Sequence, residues 1–137
     1  MQKSRFIVLS IPPVGGDDES IGEDAIGWIL VSSNNRPLGR GGSTFDSFQE
    51  CRAAVDRLRR EHERMTTTAL AEANGRWAWR VDVDGRTVAV STRSYFRHHE
   101  CDYNLRRFLE AVPAADLVDG VRVVQSGRRP AVRRELR

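Results

Sequence analysis

Lysine is almost absent from this chain. Lys3 is the only one among 22 basic residues, and arginine supplies the rest. Arginine forks onto phosphate, but a skew spread along the whole chain reads first as coding bias. Cysteine is scarce too. Cys51 and Cys101 fall inside amphipathic patterns and read as buried packing thiols, reduced in the cytoplasm where the chain is expected to reside. No run of about 18 apolar residues occurs, which excludes a spanning helix. The opening run Arg5-Phe6-Ile7-Val8-Leu9 is too short and wrongly flanked for a signal peptide. No Gly-x-Gly-x-x-Gly follows a strand and opens a helix. Gly39, Gly41 and Gly42 precede a helix without that spacing and without a Walker lysine. No cofactor is expected.

What is present is ordinary in bulk and uneven in place. With 137 residues, 39% hydrophobic and 30% charged, the chain fits one soluble domain with a real core. The net charge of +3 is concentrated at the end: residues 127–137 carry +4, from Arg128, Arg129, Arg133, Arg134 and Arg137 against Glu135, and the remainder carries −1. This tail has little apolar content and reads as flexible. The expected organisation is a single domain over 1–126, built of two repeats at about 5–64 and 65–125, with the Arg-rich tail at 127–137.

The repeat is carried by an echo at a spacing of 50 residues. Glu50-Cys51 returns as Glu100-Cys101, Phe45 as Tyr95, Val55 as Leu105, Leu58 as Phe108 and Arg36 as Arg86. Such a period means one supersecondary unit used twice. Phe6–Ile11 reads as a strand ended by Pro12-Pro13. An acidic, glycine-bearing loop over 14–24 follows, then a strand at Ile26–Ser32, a turn at Asn34-Asn35, and a weak or bulged glycine-rich strand at 38–45. Phe48, Cys51, Val55 and Leu58 then switch to helical spacing. Ser47 and Glu50 form a capping box, and the helix should run to Arg64. Asp56/Arg60, Arg57/Glu61 and Arg59/Glu63 are surface pairs at i,i+4. The second unit has strands at Thr66–Ala71, Arg76–Val83 and Thr87–Tyr95, with turns at Asn74-Gly75 and Asp84-Gly85. Its helix carries His98, Cys101, Leu105, Phe108 and Val112 and stops before Pro113. Arg97 stands where Ser47 capped the first helix. A last strand is expected at Val121–Gln125.

The stretch from Trp79-Arg80-Val81 through Asp84-Gly85 to Val88-Ala89-Val90-Ser91, then Tyr95 and the helix after it, resembles the YegP-like family of small bacterial and archaeal proteins. The first unit, from Trp28, matches with Asn34-Asn35 for the turn and glycines in place of the apolar strand. The resemblance implies an α+β fold: a tandem ββ(β)α(β) repeat forming one mainly antiparallel sheet, with two helices on one face and terminal strands exchanged between units. It implies no activity and no functional residues.

Candidate chemistry is thin. His98-His99-Glu100-Cys101 suggests metal ligands, since i and i+3 share a helix face. A zinc site needs further ligands, and His62 and Cys51 are the only other histidine and thiol. His98 also stands where Phe48 stands, at a helix–sheet contact, so no metal is expected. A Cys–His nucleophile lacks an oxyanion hole and an orienting group. Trp77 and Trp79 would suit base stacking on an open sheet, but their alternation with Ala78, Arg80 and Asp82 puts them in the core. The strand at 26–31 is apolar on both faces. Matching Trp28 to Trp79 puts Ile29 and Val31 on the open face, with one extra residue in the first unit, placed at a bulge in the glycines. A strict offset of 50 puts Trp28 there instead. Apolar side chains on a sheet face point to a protein partner or to a second copy of the chain. Ile29, Val31 and Trp28 are therefore the candidate contact residues of a non-enzymatic binding or assembly module. The rival reading is nucleic-acid association through the five tail arginines. An enzyme has no constellation behind it, and no membrane contact is expected.

Overall fold

The computed structural model describes residues 3–11 and 25–123; the acidic loop and the Arg-rich tail lie outside them. The chain runs β1 (Arg5–Ile11), β2 (Ala25–Val31), β3 (Pro37–Gly41), α1 (Phe48–Arg60), a 3₁₀ turn (His62–Arg64), β4 (Thr66–Ala71), β5 (Trp77–Val83), β6 (Arg86–Val90), α2 (His98–Ala111) and β7 (Asp116–Val123). The strands form one mixed seven-stranded sheet, β4-β5-β6-β3-β2-β1-β7. Every neighbour pair is antiparallel except β1 and β7.

The hairpins follow from their turn residues. Asp84 at φ 53° and Gly85 at φ 79° give the two-residue turn that matches strand twist. The β2–β3 turn is one residue longer. Ser32 N–H donates to Arg36 O and Asn35 N–H to Ser32 O, both at 2.8 Å, with Asn35 left-handed at φ 66°. The extra residue of the first half therefore sits in this turn and not at the glycines, because beyond the turn the spacing of 50 holds. A bridge joins Ile26 to Phe45 and another joins Trp77 to Tyr95, closing the two hairpins alike.

Both helices lie on one face. Cys51, Val55 and Leu58 of α1 and Cys101, Leu105 and Phe108 of α2 enter a single core with Phe6, Val8, Trp28, Leu30, Trp79 and Val81. The aromatic rings run across that core as a chain. Phe6 meets Trp28 edge-on at 5.4 Å, Trp28 stacks on Phe108 at 6.3 Å, and Phe108 tilts against Trp79 at 4.8 Å. The glycines of β3 make this possible. A Cβ on Gly39 would lie 2.5 Å from Phe108 Cδ1 and 2.7 Å from Trp79 Cη2, and one on Gly41 would lie 2.7 Å from Trp28 Nε1. β3 is thus the central strand on which the aromatic core rests, where glycine content alone predicts a weak one.

Local differences have local causes. Ser47 Oγ accepts from Glu50 N–H at 3.1 Å, as a cap should, but Glu50 Oε1 reaches back to Asp46 N–H, one residue further than the capping box requires. α1 ends at Arg60 and tightens into the 3₁₀ turn, where Glu61 accepts from both Arg57 (3.3 Å) and Arg64 (3.5 Å). Arg59 pairs with Asp56 at 3.6 Å and not with Glu63. β7 begins at Asp116, five residues before the expected start. Gly120 at φ 88° sits within the strand, where the β1–β7 register shifts.

Candidate functional site

The face away from the helices follows from the β1–β2 register. Phe6 pairs with Leu30 and Val8 with Trp28, all four in the core. The alternate residues, Ile7 opposite Ile29 and Leu9 opposite Gly27, project to the other side. Ile7, Leu9, Ile11, Ile29 and Val31 therefore form one apolar stripe. Ile29 is partly exposed and Val31 is 7% exposed. Trp28, a candidate contact residue by the strict offset, is 5% exposed and faces the helices, so it does not join Ile29 and Val31. Residues 14–24 lie outside the described residues, as do the tail arginines Arg128, Arg129, Arg133, Arg134 and Arg137.

A groove of about 350 Å³ opens beside the stripe, bounded by Leu9, Ile11, Ile29 and Arg40. Its floor is Gly27, where an added Cβ would meet Ile11 Cδ1 at 3.0 Å. The other half of the same face is polar and internally paired. Arg80 Nε donates to Asp82 Oδ2 at 3.1 Å, and Thr87 Oγ1 donates to Asp82 Oδ1 at 2.8 Å. Thr66 and Thr68 flank that network from β4.

Among the described residues, the cysteines and histidines of the helix side stay apart. Cys51 and Cys101 are fully buried, and burial pushes both thiols up to about 11, with Asp102 adding to the effect at Cys101. A thiol held protonated in this way is a poor nucleophile. His98 packs its ring on Trp77 at 4.4 Å and turns Nε2 toward Asp102 at 3.6 Å, while Cys101 is fully buried. Among the described residues no three His, Cys, Asp or Glu side chains converge as metal ligands. No helix among them is long and apolar enough to cross a membrane.

No family model matches the chain, and no curated protein does. Two solved structures are similar. One is the solution NMR structure of the protein of unknown function YegP from E. coli, with a TM-score of 0.63 at 11% identity over 93% of this chain and 98% of that one. The other is the solution NMR structure of the UPF0339 protein SO3888 from Shewanella oneidensis, with a TM-score of 0.62 at 8% identity over 85% of this chain and 92% of that one. At such identities the likeness is one of architecture: this chain has the fold of the YegP-like proteins.

Proposed function

We propose that the protein is a non-enzymatic binding or assembly module, a single cytoplasmic domain of two repeated units, that acts through the open sheet face of its first half. The observation that carries this reading is the contrast within one sheet face. One half bears Ile7, Leu9, Ile11, Ile29 and Val31, the other the satisfied Arg80–Asp82–Thr87 network. Folding does not require the apolar stripe, since the second half does without one. Val31 is already buried at 7% exposure, but leaving the other four side chains in water forgoes up to about 1.5–3 kcal/mol each relative to full burial. A second copy of the chain or a protein partner recovers part of that. The rival reading, nucleic-acid association through the tail, rests on arginine composition alone.

The test is the mass of the native complex by light scattering, for the wild type and for Ile29→Arg combined with Ile11→Glu. Both sites are partly exposed, so the variant should fold. The expected result is a lower mass, or loss of a co-purifying protein, at an unchanged melting temperature. A wild-type protein that is a monomer without a partner, or a variant that keeps every association, overturns the reading.

A further inference from the structure

Two of the clefts on the helix side are counterparts of each other. One, of about 440 Å³, lies between α1 and the start of β6; the other, of about 470 Å³, lies between α2 and the start of β3. Nine of the eleven residues lining the second have a partner 50 positions away lining the first, among them Arg36 and Arg86, Tyr95 and Phe45, Glu100 and Glu50. Each cleft joins the helix of one half to the hairpin of the other.

Their chemistry differs. In the first, Arg57 and Arg86 face Glu50 and Glu61, which is neutral overall, and Arg57 is already paired with Glu61 at 3.3 Å. In the second, Arg36, Arg93 and Arg107 face Glu100, a net +2, and none of the three arginines pairs with a carboxylate among the described residues. The guanidinium groups are held another way. Arg93 lies 5.1 Å over the Tyr95 ring and Arg107 lies 5.9 Å over the Tyr103 ring. The first cleft has Ser43 and Ala53 at the positions of Arg93 and Tyr103.

Asn104 fixes the polarity of the floor. Its Oδ1 accepts from the indole N–H of buried Trp79 at 2.6 Å. An indole nitrogen only donates, so the amide cannot flip, and its NH₂ remains available as a donor. The first cleft has Ala54 there. α2 also starts without a side-chain cap, whereas Ser47 caps α1. The second cleft is thus rich in unspent donors and poor in acceptors, and the fold demands none of this, because its counterpart lacks it.

We propose that the cleft between α2 and β3 binds a phosphate oxyanion, as the free ion or on a small ester. Arginine forks match phosphate oxygens in pairs, and the Asn104 amide adds a neutral donor beneath them. This site is on the opposite side of the sheet from the apolar stripe and does not depend on it.

The experiment is an amide chemical-shift titration of the full chain at low ionic strength, first with inorganic phosphate and then with adenosine 5′-monophosphate. Saturable shifts are expected at residues 36–38, 92–95 and 99–107, with a dissociation constant of about 1 mM or tighter. A tighter constant for the nucleotide assigns the site to an esterified phosphate, and equal constants assign it to the free ion. Arg93→Ser combined with Arg107→Gln should weaken binding at least about tenfold, the effect of losing about 1.4 kcal/mol of charge-assisted contact, without moving the melting temperature. Both side chains are exposed, so the variant should fold. Absence of saturable shifts, equal shifts in both clefts, shifts confined to residues 128–137, or unchanged binding in the double variant each overturns the proposal.

Discussion

Gly39→Ala tests the packing that defines this fold. The added methyl would lie 2.5 Å from Phe108 Cδ1, 2.7 Å from Phe108 Cε1 and 2.7 Å from Trp79 Cη2. Carbon atoms settle near about 3.5–4.0 Å, so both rings must move by roughly an ångström. Neither has room. Phe108 and Trp79 are 0% and 1% exposed, and Phe108 is also stacked on Trp28. Overpacking of this kind costs about 1–3 kcal/mol, which for a chain of this size lowers the melting temperature by roughly 3–10 °C. The assay is thermal and urea unfolding of Gly39→Ala, of Phe108→Leu, and of the two together. Phe108→Leu alone opens a cavity and destabilises. In the double variant the alanine methyl partly fills it, so the combined loss should fall short of the sum of the single losses by at least about 0.5 kcal/mol. An alanine variant as stable as the wild type, or strict additivity, would refute the claim that these rings rest on the β3 backbone.

Three further outcomes are expected. Trp79→Ala should cost about 3–5 kcal/mol by chemical denaturation, and Trp79→Phe less, since a ring still covers Gly39; a Trp79→Ala protein that melts like the wild type would put the indole outside the core. The two thiols should resist a thiol-specific reagent at pH 8 until the protein unfolds, and stability should decline as pH rises from about 9 toward 11. The folded thiols are raised from 9.0 to about 11 by burial, so over that range the unfolded chain binds fewer protons and unfolding becomes easier; stability that stays flat across this window would contradict it. Deleting residues 127–137 should leave the unfolding midpoint unchanged and abolish any binding to duplex DNA, whose log–log salt slope in the full chain should be near about −4; a truncated protein that still binds DNA would assign the contact to the folded body.

The parts of the fold legible in the sequence are those whose signals are local. The stripe Cys51, Val55, Leu58 and its echo Cys101, Leu105, Phe108 encode both helices and the face they bury. The alternation around Trp79 encodes which side of β5 meets them, and the Asp84-Gly85 dipeptide encodes its turn. Where the reading departs from the structure, a distant partner decides. Glycines at 39 and 41 weaken an isolated strand, but here they admit Phe108, Trp79 and Trp28 from three other elements, which strand propensity cannot register. The last strand, expected from Val121, begins at Asp116 because β1 supplies a parallel neighbour from Arg5 onward. The additional residue of the first half lies in the β2–β3 turn, where the Ser32–Arg36 backbone pairing and not the glycine content accommodates it.

The candidate sites divide in the same way. Ile29 and Val31 were readable because alternation within a single strand places them, once Trp28 is matched to Trp79. The cationic cleft was not, although Arg36, Tyr95 and Glu100 stand out as echoed positions. It is made where the helix of one half meets the hairpin of the other, a contact that spacing along the chain does not specify. Two halves of one sheet that carry a similar helix stripe but diverge on both surfaces constrain what those surfaces are for. The first half keeps apolar groups on the open face and a neutral cleft; the second keeps a charged open face and a cationic cleft. Each half shows that the other's feature is dispensable for folding, so neither feature is explained by the core. The two lie on opposite sides of one sheet and share no residue but its backbone. Variants at Ile29 and Ile11 should therefore leave a phosphate titration unchanged, and variants at Arg93 and Arg107 should leave the native mass unchanged. If either pair moves both readouts, the two faces are coupled through the sheet and the separation argued from their residues is wrong.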